Sequence, residues 1–214
     1  KWFSTETPEG EAIRRRALAC DIHLLDARCK HLGTENNREI LIKLYDWLND
    51  HVELSCNTTV STIIPMKACQ PISRLNGVAP DCYKLETSKG EVECDILIAA
   101  PGRAGAEWFS NACRKLKLPL IKNQVDLGVR VELPALVFKD ITDAMYEAKL
   151  KYMTRRYKDI MRTFCMNPYG FVVTENNAGL QTVNGHSFAH KKSGNTNFAI
   201  LVSKQFTRPF NEPI

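Results

Sequence analysis

Five consecutive residues, Pro101-Gly102-Arg103-Ala104-Gly105, combine the types that a ligand-binding turn needs. Glycines let a backbone or a ligand come close, and the amides opening a following helix attract anions. Arg103 adds a fixed positive charge. The same residues also suit a structural strand-to-helix turn with an exposed arginine, and the residue types weigh the two readings equally. The turn is not G-x-G-x-x-G, and that fingerprint occurs nowhere in the chain. His186 and His190 have the i, i+4 spacing of two metal ligands on one helix face. Asn184-Gly185 just before them favours a turn, and residues 184–194 contain no Asp or Glu, so the expectation is a non-metal role. His31 precedes Leu32-Gly33-Thr34 at a helix entrance, where a simple capping loop is the plainer reading. Cys165 follows Arg162, whose charge favours a thiolate, although a buried structural thiol is the commoner outcome. No Ser/His/Asp order or Walker loop is identifiable, which leaves nucleophilic hydrolysis and P-loop phosphoryl transfer without support.

Eight cysteines stand at 20, 29, 56, 69, 82, 94, 113 and 165. No two form C-x-x-C, the knuckle that seeds most structural zinc sites, so a zinc site ranks last and no metal is expected. Cys20 and Cys113 are placed on helices and Cys94 at the opening of an apolar strand, where thiols behave as small hydrophobes. Free thiols and a cytoplasmic, reducing location are the expectation. Asn57-Thr58-Thr59 fits a glycosylation acceptor, but the first residues lack the apolar core of a secretory signal, so the match is read as fortuitous.

The elements that position these residues come from a chain of 214 residues, 44% hydrophobic and 25% charged, which is enough apolar mass for a folded core. No apolar stretch approaches the roughly 20 residues of a membrane helix. The net charge is +5, but its basic runs, Arg14-Arg15-Arg16, Arg155-Arg156 and Lys191-Lys192, are short. They suit solvated surface better than a nucleic-acid face.

A helix is expected from Thr7-Pro8, a capping residue followed by proline at the first helical position. A second, after Gly33, carries Ile40, Leu44, Trp47 and Leu48 on one stripe. Val52 to Ile64 is β-branched and is assigned to a strand ended by Pro65, with a loop or hairpin over 65–80. Cys82 to Thr87 is a strand, Ser88-Lys89-Gly90 a tight turn, and Glu91 to Ala100 a strand whose apolar second half suits a sheet covered on both faces. It feeds the Pro101–Gly105 turn and a helix with Trp108, Phe109, Ala112, Cys113 and Leu116. Beyond Pro119 the pattern predicts a strand over 125–133, a short helix around 139–148, and several strands separated by Asn-rich turns. The expectation is an α/β (α+β) fold divided near residue 122, with a helix-containing part over 1–122 and an antiparallel β-rich part over 123–214.

Several of these stretches, in order, resemble one family. They are His31-Leu32-Gly33-Thr34, Asp95 through Trp108, Val125-Asp126-Leu127-Gly128-Val129-Arg130-Val131-Glu132, Thr163-Phe164-Cys165-Met166-Asn167-Pro168-Tyr169-Gly170 and Val183-Asn184-Gly185-His186-Ser187. The resemblance is to the interior of the predicted FAD-utilising dehydrogenases, bacterial flavoproteins of poorly defined substrate, and runs from about residue 30 onward. It implies a strand meander and strand-turn-helix from an FAD domain over 1–122, then a substrate or cap domain over 123–214. In the family an N-terminal glycine fingerprint and a C-terminal segment complete the FAD domain, so this chain corresponds to the part between and alone is expected to hold no FAD and to be inactive. The resemblance implies that Gly102, Arg103 and Gly105 approach FAD in the full-length parent. It also implies that His31, Arg130, Cys165, Asn184 and His186 belong to the substrate cleft. Many relatives carry a second cysteine where this chain has Asn167, and Asp where it has Glu35. The implied function is hydride transfer on an unknown small molecule, the flavin doing the hard chemistry. The alternative is a non-catalytic module that binds a protein or polyanion.

Overall fold

The computed structural model describes residues 2–66, 82–121, 123–177 and 179–206. These form an α+β fold in which every strand pairing is antiparallel. The chain divides into two compact units, residues 1–47 with 122–214, and residues 48–121. The first 47 residues belong with the C-terminal part rather than with residues 48–121.

In the first unit, β1 (Trp2–Ser4) pairs with β3 (Arg28–Lys30). Helix α1 (Pro8–Leu18) begins where expected, the Thr7 side chain accepting the Gly10 N–H at 3.0 Å. It ends before Cys20, which sits in the following turn rather than on a helix. A five-stranded sheet has the order β2-β8-β9-β12-β7, from β2 (Ile22–Leu24), β7 (Val125–Pro134), β8 (Leu150–Met153), β9 (Ile160–Asn167) and β12 (Asn195–Lys204). Helix α4 (Ala135–Met145) starts directly after Pro134, four residues before the expected position. Ile13 of α1, Leu24 of β2, Met145 of α4, Ala148, Met166 and Phe198 form the core, with Phe138 tilted against Phe198 at 5.1 Å. Each large apolar side chain so buried contributes about 1.5–3 kcal/mol. This core explains the division: Ile13 and Leu24 find their apolar partners more than a hundred residues later. A hairpin of β10 (Phe171–Asn177) and β11 (Leu180–His186) also contacts β9 and β12.

The boundary between units falls inside α2 (Asn37–His51). The helix forms as its pattern predicts, yet no residue of it is buried; Ile40, Leu44 and Trp47 are each about half exposed.

The second unit contains the meander β4-β5-β6, from β4 (Val60–Met66), β5 (Cys82–Thr87) and β6 (Gly90–Cys94), and helix α3 (Ala106–Lys115). The strand expected from Val52 starts only at Val60, and Pro65 does not end it but pairs with Tyr83. β4 is an edge strand, where proline's missing N–H is tolerated. The loop assigned to 65–80 lies outside the described residues from 67 onward, as does Cys69. The turn at Ser88-Lys89 is as expected. The buried strand expected over Asp95–Ala100 is not found: pairing stops at Cys94, and Ile96 and Ile98 are 80% and 86% exposed. An apolar run is compatible with a two-sided sheet but supplies no neighbouring strand, and none among the described residues pairs with it. Among the described residues no helix is long and apolar enough to cross a membrane.

Candidate functional site

In the second unit, the chain from Leu97 to Ala100 delivers the Pro101–Gly105 turn to the start of α3. Gly102 has φ +67, in the left-handed region, and a Cβ there would meet nothing within 4 Å. A ligand can therefore reach this backbone directly, whereas a branched residue is strained. Gly105 plays a different part: a Cβ would lie 2.5 Å from that of Pro101, so the glycine closes the turn on itself. Gly105 is the N-cap of α3 and offers no side-chain cap, and Arg103 is exposed beside it. The indole N–H of Trp108 donates to the Ser61 carbonyl at 2.9 Å, fixing α3 to β4. Next to the turn runs a trough of about 690 Å³ whose walls include Val60, Leu97, Ala99, Pro101 and Trp108.

The first unit brings together Arg130, Cys165 and Asn184, three of the five residues assigned to the cleft. Arg130 on β7 donates through Nε to Asn197 Oδ1 at 2.9 Å and through its guanidinium nitrogen to the Cys165 carbonyl at 2.7 Å. Both acceptors are neutral. Asn167 Nδ2 donates to the same carbonyl at 2.8 Å and lies 3.5 Å from the Cys165 sulfur. Asn184 Oδ1 is 4.0 Å from that sulfur, and its amide donates to Glu175 at 3.0 Å. Cys165 has φ +47, and the β9–β12 register shifts between Asn197 and Ala199, so a β-bulge presents the residue. Non-glycine residues in this region cost on the order of 1–3 kcal/mol and concentrate at functional sites. Asn197 is fully buried, and its Nδ2 has no hydrogen-bond partner.

His31 sits apart from that cluster's hydrogen bonds. Its ring stacks on Tyr146 at 4.5 Å, and the Tyr146 hydroxyl meets the buried Ser187 Oγ at 2.6 Å. Burial, assisted by the charge of Lys192, lowers the proton affinity of His31, and its Nε2 is buried with no partner. Burial pushes the Tyr146 phenol up to about 12, against the pull of the Ser187 hydrogen bond. The loop bearing His31 is tied to the loop after β11: the Thr34 amide donates to the Ser187 carbonyl at 3.0 Å. Glu35 accepts from the Ala189 and His190 amides at 2.7 and 3.0 Å. Both amides meet the same oxygen, Oε1, of Glu35.

His186 ends β11, with its ring edge-on to Phe188 at 6.1 Å. His190 lies in a loop, so the two histidines share no helix face. Among the described residues no group of His, Cys, Asp or Glu could hold a metal, and the seven described cysteines are free thiols.

Sequence reasoning missed Tyr146, Ser187 and Asn197. Ser187 and Asn167 stood inside motifs already singled out, whereas nothing local marks Tyr146, whose partners are 41 and more positions away. No protein-family model matches the chain, and no curated protein matches it.

Proposed function

We propose that the chain is the central part of an FAD-dependent oxidoreductase, with residues 48–121 contributing to the cofactor site and the first unit binding a small-molecule substrate. The observation that carries the reading is the convergence of Arg130, Cys165 and Asn184, named from separate motifs, on one strained and hydrogen-bonded bulge. The Pro101–Gly105 turn fits a dinucleotide: open space faces Gly102, Arg103 offers charge to a pyrophosphate, and an apolar trough lies alongside. A bound flavin would supply hydride acceptance. The chain's own part is positional. Arg130, held at two nitrogens, presents a fixed positive charge, and Asn167 and Asn184 fix polar groups around the Cys165 thiol.

The test compares Gly102→Val with Lys191→Ala in a full-length protein that includes the glycine fingerprint and C-terminal FAD segment. The valine is expected to lower retained flavin absorbance by tenfold or more, about 1.4 kcal/mol, while Lys191→Ala leaves it unchanged. A folded Gly102→Val protein that keeps its flavin removes the turn from the site.

A second reading, a module that binds a protein partner, is favoured by the half-exposed apolar residues of α2. The polyanion version is weaker. Arg14 pairs with Glu11 and Asp26, Arg155 with Asp21, and Lys191 lies over the Phe171 ring, so much of each basic run is already engaged. A full-length protein that never holds flavin would favour this reading over the first.

A further inference from the structure

Where α4 ends, an open cleft of about 520 Å³ is walled by the rings of Phe3, Tyr146 and Tyr169 and by Pro168, with Asp143 and Lys192 at its margin. Its volume lies within the roughly 300–1,000 Å³ of small-molecule sites. Two of the rings belong to left-handed residues, Tyr146 at φ +60 and Tyr169 at φ +52, a conformation that tyrosine adopts only at a cost. Tyr146 is further immobilised by His31 stacked at 4.5 Å, Phe3 tilted at 5.2 Å and Ser187 on its hydroxyl. The cleft therefore offers rigid aromatic walls rather than an adaptable apolar surface, which suits a flat ring.

The charge at the margin is one-sided. Asp143 is neutralised by Lys139 one helical turn earlier. Lys192 is exposed, donates to the Phe188 carbonyl at 3.0 Å and forms no ion pair among the described residues. Its ammonium has donors left over, and its field already reaches His31. A cationic ligand would meet an uncompensated like charge, whereas a carboxylate would gain a charge-assisted hydrogen bond.

We propose that this cleft binds a small planar aromatic carboxylate, its ring against Tyr146 and Tyr169 and its carboxylate on Lys192. The idea that such a molecule is the substrate rests on the oxidoreductase reading; the binding itself does not. The test is calorimetric titration of the 214-residue chain, without flavin, with 2-naphthoate, its neutral amide and 2-naphthylmethylammonium. Naphthoate is expected to saturate one site and to bind about tenfold more tightly than the amide, with the cation weaker still. Lys192→Gln, at an exposed position that leaves the core untouched, is expected to remove that tenfold preference, and Tyr169→Ala to weaken acid and amide alike. No saturable naphthoate binding, equal binding of acid and amide, or an unchanged preference in Lys192→Gln would each overturn the proposal. A flavin-holding parent with no naphthoate site sinks this inference alone; naphthoate binding in a parent that never holds flavin supports it while sinking the oxidoreductase reading.

Discussion

Tyr146 shows how a single side chain can link the site to solution conditions. Its phenol titrates at about 12 rather than the ordinary 10.0, because burial disfavours the phenolate. As pH rises, the unfolded chain therefore gives up this proton before the folded one does. Tyr146's contribution to stability is constant below pH 10 and is lost as pH climbs from 10 to 12. Tyr146→Phe should lose about 1–2 kcal/mol at neutral pH, since buried Ser187 is left without its 2.6 Å partner. Urea midpoints of both proteins across pH 10 to 12 should then converge; a gap that stays constant would mean the phenol does not titrate in this window. None of this was legible beforehand. Cys165, Arg130 and Asn184 stand in short motifs that the family resemblance grouped, whereas Tyr146 acquires its partners only from His31 and Ser187, which approach it from opposite ends of the chain. His186 stood in an equally distinctive motif, but at the end of β11 its ring meets Phe188 at 6.1 Å, a partner that the motif does not contain.

Among the elements, the β10–β11 hairpin lies against the five-stranded sheet at one unforgiving point. A Cβ on Gly185 would come 1.9 Å from the Arg130 guanidinium, 2.3 Å from Asn167 Nδ2 and 2.4 Å from Asn197 Oδ1. These atoms hold one another through hydrogen bonds and cannot all retreat. Gly185→Ala should therefore cost about 3 kcal/mol and disturb the Cys165 bulge, whereas Gly179→Ala, with open space around its Cβ, should cost only the strain of its positive φ. Thermal unfolding of the two variants decides between them; equal midpoints would mean the hairpin yields. Helix positions were legible because caps and apolar periodicity are local: Thr7-Pro8 opens α1, and the Ile40–Leu48 stripe lies within α2. Asp95–Ala100 was not, because a strand is completed by a neighbour, and an apolar run cannot say whether that neighbour is present.

For the molecule as a whole, the thiols give a test that samples both units. All eight cysteines should react in denatured, unreduced protein. Among the seven described thiols of the native protein, Cys20 and Cys56, both exposed, should react first and Cys113, 5% exposed, last. Fewer than eight thiols after denaturation would mean a disulfide or a bound metal. The change of texture after Pro119 is a local signal, whereas the return of the first 47 residues to the C-terminal part is not. That return is written in long-range pairs such as β2 with β8, which no local window contains.

The clasp between Glu35 and the His190 amide spans 155 positions. On a ribosome adding about 5–20 residues per second, the loop bearing His31 waits roughly 8–30 s for its counterpart to be made. Through the first part of that interval, until Val131 and the residues beyond it are made, the nascent chain exposes Ile13 and Leu24 with none of their later core partners yet synthesised. Synonymous codons that slow translation between β3 and β12 would lengthen this vulnerable period without altering a single side chain, so yield of soluble protein should depend on translation tempo even where the finished fold does not.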